Sequence, residues 1–286
     1  MQLDRTRRQA ADYILERACQ SGGFCFYRLD EPNPQDTYFA LAGLHLLGVP
    51  PPGEKTAAYL ASLQDADGSF GPLSRTYFAV ASLHLLDRRP LRDPGQAVAA
   101  LLRQLLDSSR PPQDFRAQTY RDLDRACALS AATGLPMPPP LAEELAVTLQ
   151  RCAHPGGGFG VNGPSLDETR AAVSALCRIG KPVARERVAP FVRACEDATF
   201  GFTGKPGSSL SYLEYIHAGV SLCAALDMTP THVGACADFI LNCQTTNGGF
   251  ARAETGIATL ENTYFALQAL MHLNHGEDRH GAVTPP

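Results

Sequence analysis

The fold is decided by a short stretch near the start of the chain, in which the loop Gly22-Gly23-Phe24 is followed by the apolar segment Thr37-Tyr38-Phe39-Ala40-Leu41-Ala42-Gly43-Leu44. The same pair returns near the end as Gly248-Gly249-Phe250 and Thr263-Tyr264-Phe265-Ala266-Leu267. Six such loops occur, with phenylalanines at positions 24, 70, 115, 159, 202 and 250, spaced by 46, 45, 44, 43 and 48 residues. A near-constant spacing is typical of internal repeats, so we predict six copies of one unit.

Each copy is predicted to contain two helices. The segment before the loop is amphipathic, as in Phe239-Ile240-Leu241-Asn242-Cys243-Gln244, whereas the segment after it is apolar nearly all round. A helix with little polar surface must be buried on both sides. The second helices are therefore predicted to form an inner ring and the first helices an outer ring, separated by prolines such as Pro50-Pro51-Pro52. No strand is predicted.

The two ends of the repeat array are predicted to meet. An open solenoid usually carries polar terminal caps, but here the last copy is as apolar as the first. We therefore predict an all-α fold in which six helical hairpins close into an α6/α6 toroid, with a helix at residues 12–20 packed against the last copy. Residues 1–274 are predicted to form this single domain, and residues 275–286 a flexible tail.

The composition restricts the class of protein. The chain has 286 residues, of which 44% are hydrophobic and 19% charged, so a folded core is expected. A formal charge of −4 gives no surplus of cations for nucleic acid. No apolar run or leader predicts a membrane span or a secretory signal. Nine cysteines without a CxxC pair favour a reducing cytoplasm over a disulfide scaffold.

The repeat resembles the unit shared by protein prenyltransferase β subunits and triterpene cyclases of the squalene-hopene type. Gln64-x3-Gly68-x-Phe70 and Gln244-x3-Gly248-x-Phe250 are similar to the cyclase Gln-Trp motif, with phenylalanine in place of tryptophan. Gly204-Lys205-Pro206-Gly207-Ser208 resembles the Lys/Arg-Pro-Gly loop of prenyltransferases, and Asp122-Leu123-Asp124-Arg125-Ala126 resembles their Asp-x-Arg-Ser-Ala stretch. The resemblance implies a toroid that acts on isoprenoids.

Metal and diphosphate binding are not predicted from the resemblance. In the prenyltransferases an Asp-x-Cys pair and a histidine hold zinc. The two ways of aligning the repeats give those roles either to Leu166, Glu168 and Glu214 or to Tyr212, Glu214 and Asn262. Neither set contains cysteine or histidine, so no zinc is expected. The stretch Gly160-Val161-Asn162-Gly163 lacks the family's cationic residues, so a prenyl diphosphate is expected to meet too few cations.

The stretch Ser165-Leu166-Asp167-Glu168-Thr169 is similar to the Asp-x-Asp-Asp-Thr motif of cyclases that start by protonating an alkene. The resemblance implies that Asp167 is the acid and that Glu168 tunes it, while Glu214 or Tyr212 guides the cation. An equal alternative is a first-turn acidic pair that the helix dipole keeps ionised, which opposes an acid role.

Further substrate contacts are expected from the inner helices. Tyr38, Tyr77 and Tyr264 are predicted to face a cavity, where aromatic rings stabilise carbocations, although such a stripe also suits a core. His217 lies one turn after Glu214 and is either a substrate contact or a satisfied core histidine. Asp122 and Asp124 are expected to bind substrate, and magnesium if the substrate is a diphosphate; the alternative is a local ion-pair turn.

These features favour an isoprenoid-processing enzyme that carries out a protonation-initiated cyclisation or isomerisation in a central apolar cavity, without a resident cofactor. Two alternatives stay open. The first is a prenyltransferase that moves a prenyl group from a diphosphate to a small molecule or peptide, and the second is a non-catalytic toroid that binds lipid or peptide. The expected ligand is a hydrophobic isoprenoid, and a protein partner or a homo-oligomer is left open.

Overall fold

The computed structural model describes residues 2–106, 116–133 and 137–280. Within them the chain forms twelve helices: α1 (Gln2–Leu15), α2 (Pro34–Leu47), α3 (Gly53–Ser62), α4 (Leu73–Leu85), α5 (Gly95–Leu105), α6 (Ala117–Thr133), α7 (Pro139–Arg151), α8 (Leu166–Arg178), α9 (Arg185–Ala194), α10 (Leu213–Ala225), α11 (Val233–Asn242) and α12 (Leu260–His280).

The even-numbered helices form a closed inner ring. Each packs against the next in chain order, and α12 packs against α2, which completes the circle. The odd-numbered helices lie outside, as α1 does against α2 and α11 against α12. The predicted α6/α6 toroid, with inner and outer rings in the predicted order, is therefore confirmed.

The inner helices are buried because their sequences leave little polar surface. In α2, Ala40, Leu41 and Leu44 are at most 1% exposed. The helix begins where the Asn33 side chain accepts a hydrogen bond from the Asp36 N–H, and it ends at Gly48, whose φ of 68° is left-handed. Capping thus fixes both ends of a segment that the ring buries on two sides.

A recurring hydrogen bond joins each loop to its inner helix. The backbone N–H of the loop phenylalanine donates to the side-chain oxygen of a threonine in the first turn of the helix. We call this contact the loop lock. Within the described residues it occurs in four repeats, as Phe24 to Thr37 (3.0 Å), Phe70 to Thr76 (3.3 Å), Phe159 to Thr169 (2.9 Å) and Phe250 to Thr263 (3.0 Å). The lock holds each phenylalanine ring in the core, at most 5% exposed.

The first glycine of a loop packs directly on the backbone of the next outer helix. At Gly22, with φ of 101°, a Cβ would lie 2.3 Å from the Lys55 carbonyl oxygen of α3. At Gly248, with φ of 89°, a Cβ would lie 2.3 Å from the Gln9 carbonyl oxygen of α1. The last loop therefore meets the first helix by the same close approach that joins neighbours within the chain.

Two hydrogen bonds, one buried and one partly buried, join α1 to the last repeat. The Tyr13 hydroxyl donates to the Ala258 carbonyl at 2.7 Å, and the Gln244 side-chain amide donates to the Thr6 carbonyl at 3.1 Å. The predicted contact between the first helix and the last repeat is thus confirmed. The helix itself was placed too late, at residues 12–20, because the chain after Leu15 turns back and Cys25 N–H bonds the Arg17 carbonyl.

The prediction that the chain has no strands was wrong. Strand β1 (Glu196–Asp197) pairs with β2 (Gly201–Phe202), and β3 (Phe250–Ala251) pairs with β4 (Ala258–Thr259), both antiparallel. Each pair closes a loop between an outer and an inner helix. These short ladders form because loop backbone that is folded against the ring needs hydrogen-bond partners.

The third loop, residues 113–115, lies outside the described residues. The tail predicted to begin at 275 overlaps α12, which continues to His280, and residues 281–286 lie outside the described part. Among the described helices, none combines the length and the apolarity that a bilayer span requires.

Ring closure can be tested at Tyr13. Replacing Tyr13 with Phe keeps the ring but leaves the buried Ala258 carbonyl without its donor, so we expect a loss of about 1–3 kcal/mol in the free energy of unfolding. Urea denaturation measures it. Tyr59→Phe is the control, since the Tyr59 hydroxyl bonds the Pro32 carbonyl within neighbouring repeats. A smaller loss for Tyr13→Phe than for the control would contradict the closed seam.

Candidate active site

The inner ring encloses a cavity of about 1000 Å³. The repeat register puts one residue of each inner helix at the same height in its wall, directly after the position of the loop-lock threonine: Tyr38, Tyr77, Asp124, Arg170, His217 and Tyr264. Helices α12, α2 and α4 contribute the tyrosines and form an aromatic arc. Helices α6, α8 and α10 contribute aspartate, arginine and histidine and form a polar arc.

The aromatic arc is a network of rings. The Tyr77 hydroxyl donates to the Tyr38 hydroxyl at 3.0 Å, and the ring centroids of Phe39 and Phe78 are 5.6 Å apart. Tyr264 lies 6.2 Å from Tyr38, centroid to centroid. Burial raises the pKa of Tyr77 to about 12, so this hydroxyl stays neutral at physiological pH. The structure places all three predicted tyrosines in the cavity wall.

The polar arc carries a ladder of alternating charges. Arg121 on α6 contacts Asp167 on α8 at 3.0 Å. Arg170 contacts Asp167 at 3.8 Å and Asp124 at 3.4 Å, and Arg178 contacts Asp124 at 3.3 Å. Helices α6 and α8 are thereby tied together along the cavity. We refer to these five residues as the charge ladder.

Asp167 lines the cavity and is held there by two arginines. The guanidinium groups of Arg121 and Arg170 both contact its carboxyl group. These contacts tie α8 to α6 and anchor the Asp167 side chain at the cavity wall. Its role as acid stays a prediction.

The side chain of Glu168 holds the loop that precedes α8. It is 8% exposed, its carboxyl oxygens bond the Ser165 hydroxyl and the Val161 N–H, and Ser165 in turn caps α8. This reciprocal pattern is a variant of the capping box, in which the carboxylate bonds the Ser165 hydroxyl instead of its backbone N–H, and it fixes the start of the helix. Glu168 therefore shapes the cavity edge in the first instance, although it also lines the cavity.

The carboxyl group of Glu214, in the first turn of α10, forms an ion pair with Arg252. Its Oε1 accepts from Arg252 Nε and contacts Nη2, both at 2.6 Å, while Oε2 is buried without a hydrogen-bond partner among the described residues. Arg252 also stacks on the Tyr212 ring at 3.9 Å. The two predicted residues Glu214 and Tyr212 are thus brought together by an arginine from the last loop, a contact that the sequence did not indicate.

Glu261 is a carboxyl group that the sequence analysis missed. It lies in the first turn of α12 and lines the cavity. Burial raises its pKa, and the nearby carboxylates of Glu214 and Asp167 act in the same direction, while Arg125 and Arg121 oppose them. The repeat register would have found it, because Glu261 is equivalent to Glu214 in α10 and Asp167 in α8, spaced by 47 residues each.

His217 is a buried, neutral side chain. Its ring stacks on Phe265 with a centroid distance of 4.3 Å, and its Nε2 lies 2.6 Å from the Gln268 side-chain oxygen. Burial and the charge of Arg170 lower its pKa to about 3. His217 lines the cavity, so its position suits both a packed core residue and a neutral hydrogen-bonding contact.

The two aspartates predicted to share magnesium do not point the same way. Asp124 faces the cavity in the charge ladder, whereas Asp122 bonds Gln118 and Arg125 on its own helix and does not line the cavity. Residues two apart on a helix project in different directions. The contacts of Asp122 match the local ion-pair alternative, and a shared metal or substrate site at Asp122 and Asp124 stays a prediction.

The donor set does not fit the zinc that the resemblance implies. At the aligned positions, Glu168 is committed to its capping box and Glu214 to Arg252, and the others offer no thiolate or imidazole. Within the described ranges, no cluster of three His, Cys, Asp or Glu side chains is arranged to hold a metal ion.

The cavity lining holds more cations than the stretch at residues 160–163 indicates, and the prediction that a diphosphate meets too few cations considered only that stretch. The lining includes five arginines and one lysine: Arg121, Arg125, Arg170, Arg178, Arg252 and Lys205. Arg125 and Lys205 belong to the motifs quoted above, whereas the other four arginines carry no motif. Of these four, three lie on α6 and α8, where helical register turns them inward, and Arg252 comes from the last loop.

Comparison with known proteins agrees with this architecture. A family model described as the prenyltransferase alpha-alpha toroid domain matches residues 2–104 and 73–284. Among solved structures, the chain is similar to Candida albicans protein geranylgeranyltransferase-I complexed with GGPP, with a TM-score of 0.63 and 14% identity over 85% of each chain. At this identity the likeness concerns the fold. No curated protein matches the chain in sequence.

The neutral state of His217 predicts a pH dependence of stability. The folded pKa of about 3 lies below the ordinary 6.5, so between these values the unfolded chain binds a proton that the folded chain excludes. The free energy of unfolding should therefore fall as pH drops below about 6.5, by up to about 1.4 kcal/mol per pH unit from this residue. Urea denaturation at pH 7, 6 and 5 should show a shallower decline for His217→Gln than for the parent.

The exposed His45 provides the control for this measurement. His45→Gln should keep the steep decline of the parent chain, because an exposed imidazole is solvated in both states. If His217→Gln and the parent decline in parallel, the neutral buried state of His217 is refuted.

Proposed function

The chain belongs to the prenyltransferase alpha-alpha toroid family, and from that premise we propose that it transfers a prenyl group from a prenyl diphosphate to a small molecule or peptide. The observation that carries this proposal is the pairing, in one cavity, of guanidinium groups from Arg121, Arg125 and Arg170 with the aromatic arc. A prenyl diphosphate has the same two parts, an apolar chain and an anionic head.

The polar arc supplies the binding of the head. Arginine is the side chain best suited to phosphate oxygens, because its planar donors bond two oxygens at once. Arg121 is the most accessible of the three, with 41% of its side chain exposed, so it is positioned for first contact. Binding replaces part of its ion pair with Asp167, which lowers the net gain but selects for a strongly anionic ligand.

The aromatic arc supplies the surface for the chain and for the reacting carbon. As the bond to the diphosphate oxygen breaks, positive charge develops on the prenyl carbon. Aromatic faces stabilise such charge, and Tyr38, Phe39 and Phe78 lie together in the wall. The guanidinium of Arg125, which lies 4.9 Å from the Phe78 ring centre, links this surface to the head-binding side.

We place this activity in the cytoplasm, which the nine unpaired cysteines support. The proposal allows two roles for another protein or a second copy of the chain. It would either accept the prenyl group or act as an accessory subunit.

The proposal predicts a charge-dependent affinity. Farnesyl diphosphate should bind the protein more tightly than farnesol, and Arg121→Gln should weaken that binding by about tenfold or more, because one charge-assisted contact is lost. Isothermal titration calorimetry measures both. The control is Arg88→Gln, whose guanidinium pairs with Glu54 away from the cavity. Equal affinity for farnesol and farnesyl diphosphate, or no binding of either, would contradict the proposal.

A second candidate is the protonation-initiated cyclisation favoured by the sequence, with a different acid. Glu261 supports it, because burial raises the pKa of this carboxyl group, which favours its protonated form, and because it lines the same cavity as the aromatic arc. In such a reaction the proton adds to an alkene of the chain and the diphosphate stays attached.

The fate of the diphosphate distinguishes the candidates. With geranylgeranyl diphosphate and a panel of thiol, amine and phenol acceptors, transfer releases inorganic diphosphate and yields an adduct. Protonation instead yields an isomer of unchanged mass. We expect inorganic diphosphate, measured by a coupled phosphate assay, and mass spectrometry identifies the organic product. Binding without either product would support the third alternative, a non-catalytic toroid.

A further inference from the structure

Three carboxyl groups stand at equivalent positions on consecutive inner helices, in the first turn of each, at the cavity mouth. Asp167 on α8 is held by Arg121, and Glu214 on α10 is held by Arg252. The carboxyl group of Glu261 on α12 has no hydrogen bond or ion pair with any residue that the structure describes. Its carboxyl oxygens have no protein partner, but they are not fully buried. The side chain lines the cavity, so a ligand can reach it.

The charges around Glu261 come from several elements. Arg121 and Arg125 on α6 act on it as cations, and Asp167 on α8 and Glu214 on α10 act as anions. Both cations already have carboxylate partners, Arg121 in Asp167 and Arg125 in Asp122. Neither arginine is therefore available as an unshared ion-pair partner for Glu261.

Charges on the remaining neighbours are also engaged. Arg252, from the last loop, is bound to Glu214. Asp36 on α2, the inner helix that completes the ring beside α12, accepts hydrogen bonds from the Phe26 N–H and the Asn33 side chain. Neither residue compensates Glu261.

The positive and negative side chains in the described cavity lining nearly cancel. Six cations face five carboxyl groups, namely Asp124, Asp167, Glu168, Glu214 and Glu261, which leaves a surplus of one if every carboxyl is ionised. A prenyl diphosphate carries more than one negative charge. The carboxyl that is most readily neutralised on binding is the one without a cationic partner, because it loses no ion pair when it takes up a proton.

We propose that Glu261 takes up a proton when the head of a prenyl diphosphate enters the mouth, and that it donates this proton to the leaving diphosphate. The inference rests on the proposed function. The electron pair of the broken carbon–oxygen bond stays on the diphosphate oxygen, which receives the proton. Glu261 is left as a carboxylate and accepts the proton that the acceptor loses when its nucleophile bonds the prenyl carbon. It returns this proton to the solvent when the products leave, so charge and protons balance over one turnover.

Proton uptake is measured by titrating farnesyl diphosphate into the protein at pH 7 in two buffers of different ionisation enthalpy. The parent chain should take up more protons per ligand than Glu261→Gln, by up to one proton. The diphosphate's own protonation is common to both proteins and cancels in the difference. Glu254→Gln is the matched control, because Glu254 is an exposed carboxyl in the loop that precedes α12; it should behave like the parent.

The donor role has a separate readout. Glu261→Gln should still bind farnesyl diphosphate, because the amide resembles the protonated acid, but it should release inorganic diphosphate at least about tenfold more slowly. Equal proton uptake in the parent and Glu261→Gln, or equal release rates, would overturn this inference and leave the proposed function standing. Failure of the parent to bind the ligand would overturn the proposed function, and this inference with it.

Discussion

The architecture depends on the loop lock, the hydrogen bond from a loop phenylalanine N–H to a threonine hydroxyl in the first turn of an inner helix. A buried amide needs an acceptor, and the threonine supplies one at a fixed place on the helix. The bond therefore sets the rotation of the helix about its own axis. In repeats one, four and six, the residue after the threonine, Tyr38, Arg170 or Tyr264, points into the ring as a result.

Once the rotation of each inner helix is fixed, the residue at the equivalent position of each repeat decides the chemical character of the cavity wall. Three inner helices have tyrosine directly after the threonine position, and the other three have Asp124, Arg170 and His217 there. The division is lateral, so an apolar chain and a charged head can lie side by side in one chamber. The charge ladder is costly to bury unless its members pair, and the alternation of Arg121, Asp167 and Arg170 meets that requirement while leaving guanidinium groups facing the cavity.

The fold was predictable from the sequence because it depends on spacing. Phenylalanines at a near-constant interval and apolar segments such as Thr263-Tyr264-Phe265 carry the toroid without reference to any detail of side-chain direction. The aromatic wall followed from the same signal. Short strands such as β3 escaped prediction, because they arise from loop backbone that pairs with itself and involve only two residues each.

The polar half of the site was less predictable from the sequence, because it depends on the direction in which each side chain leaves its helix. Asp122 and Asp124 look alike in a motif, but a helix sends them to different surroundings, one to Arg125 and one to Arg170. Asp167 matched an acid motif, but the motif does not show its contact with Arg121, which lies 46 residues earlier in the chain. Glu261 carried no motif, and alignment of the repeats reveals it as the counterpart of Glu214.

The close approach of Gly248 to Gln9 is the same as that of Gly22 to Lys55, which means that the seam of the ring is equivalent to its internal junctions. The proline-rich linkers between repeats, such as the one before α3, are then comparable places at which a chain could start, provided that α12 is joined to α1. In this sense the molecule is a circle cut at an arbitrary point, and a circular permutant would preserve every contact of the cavity.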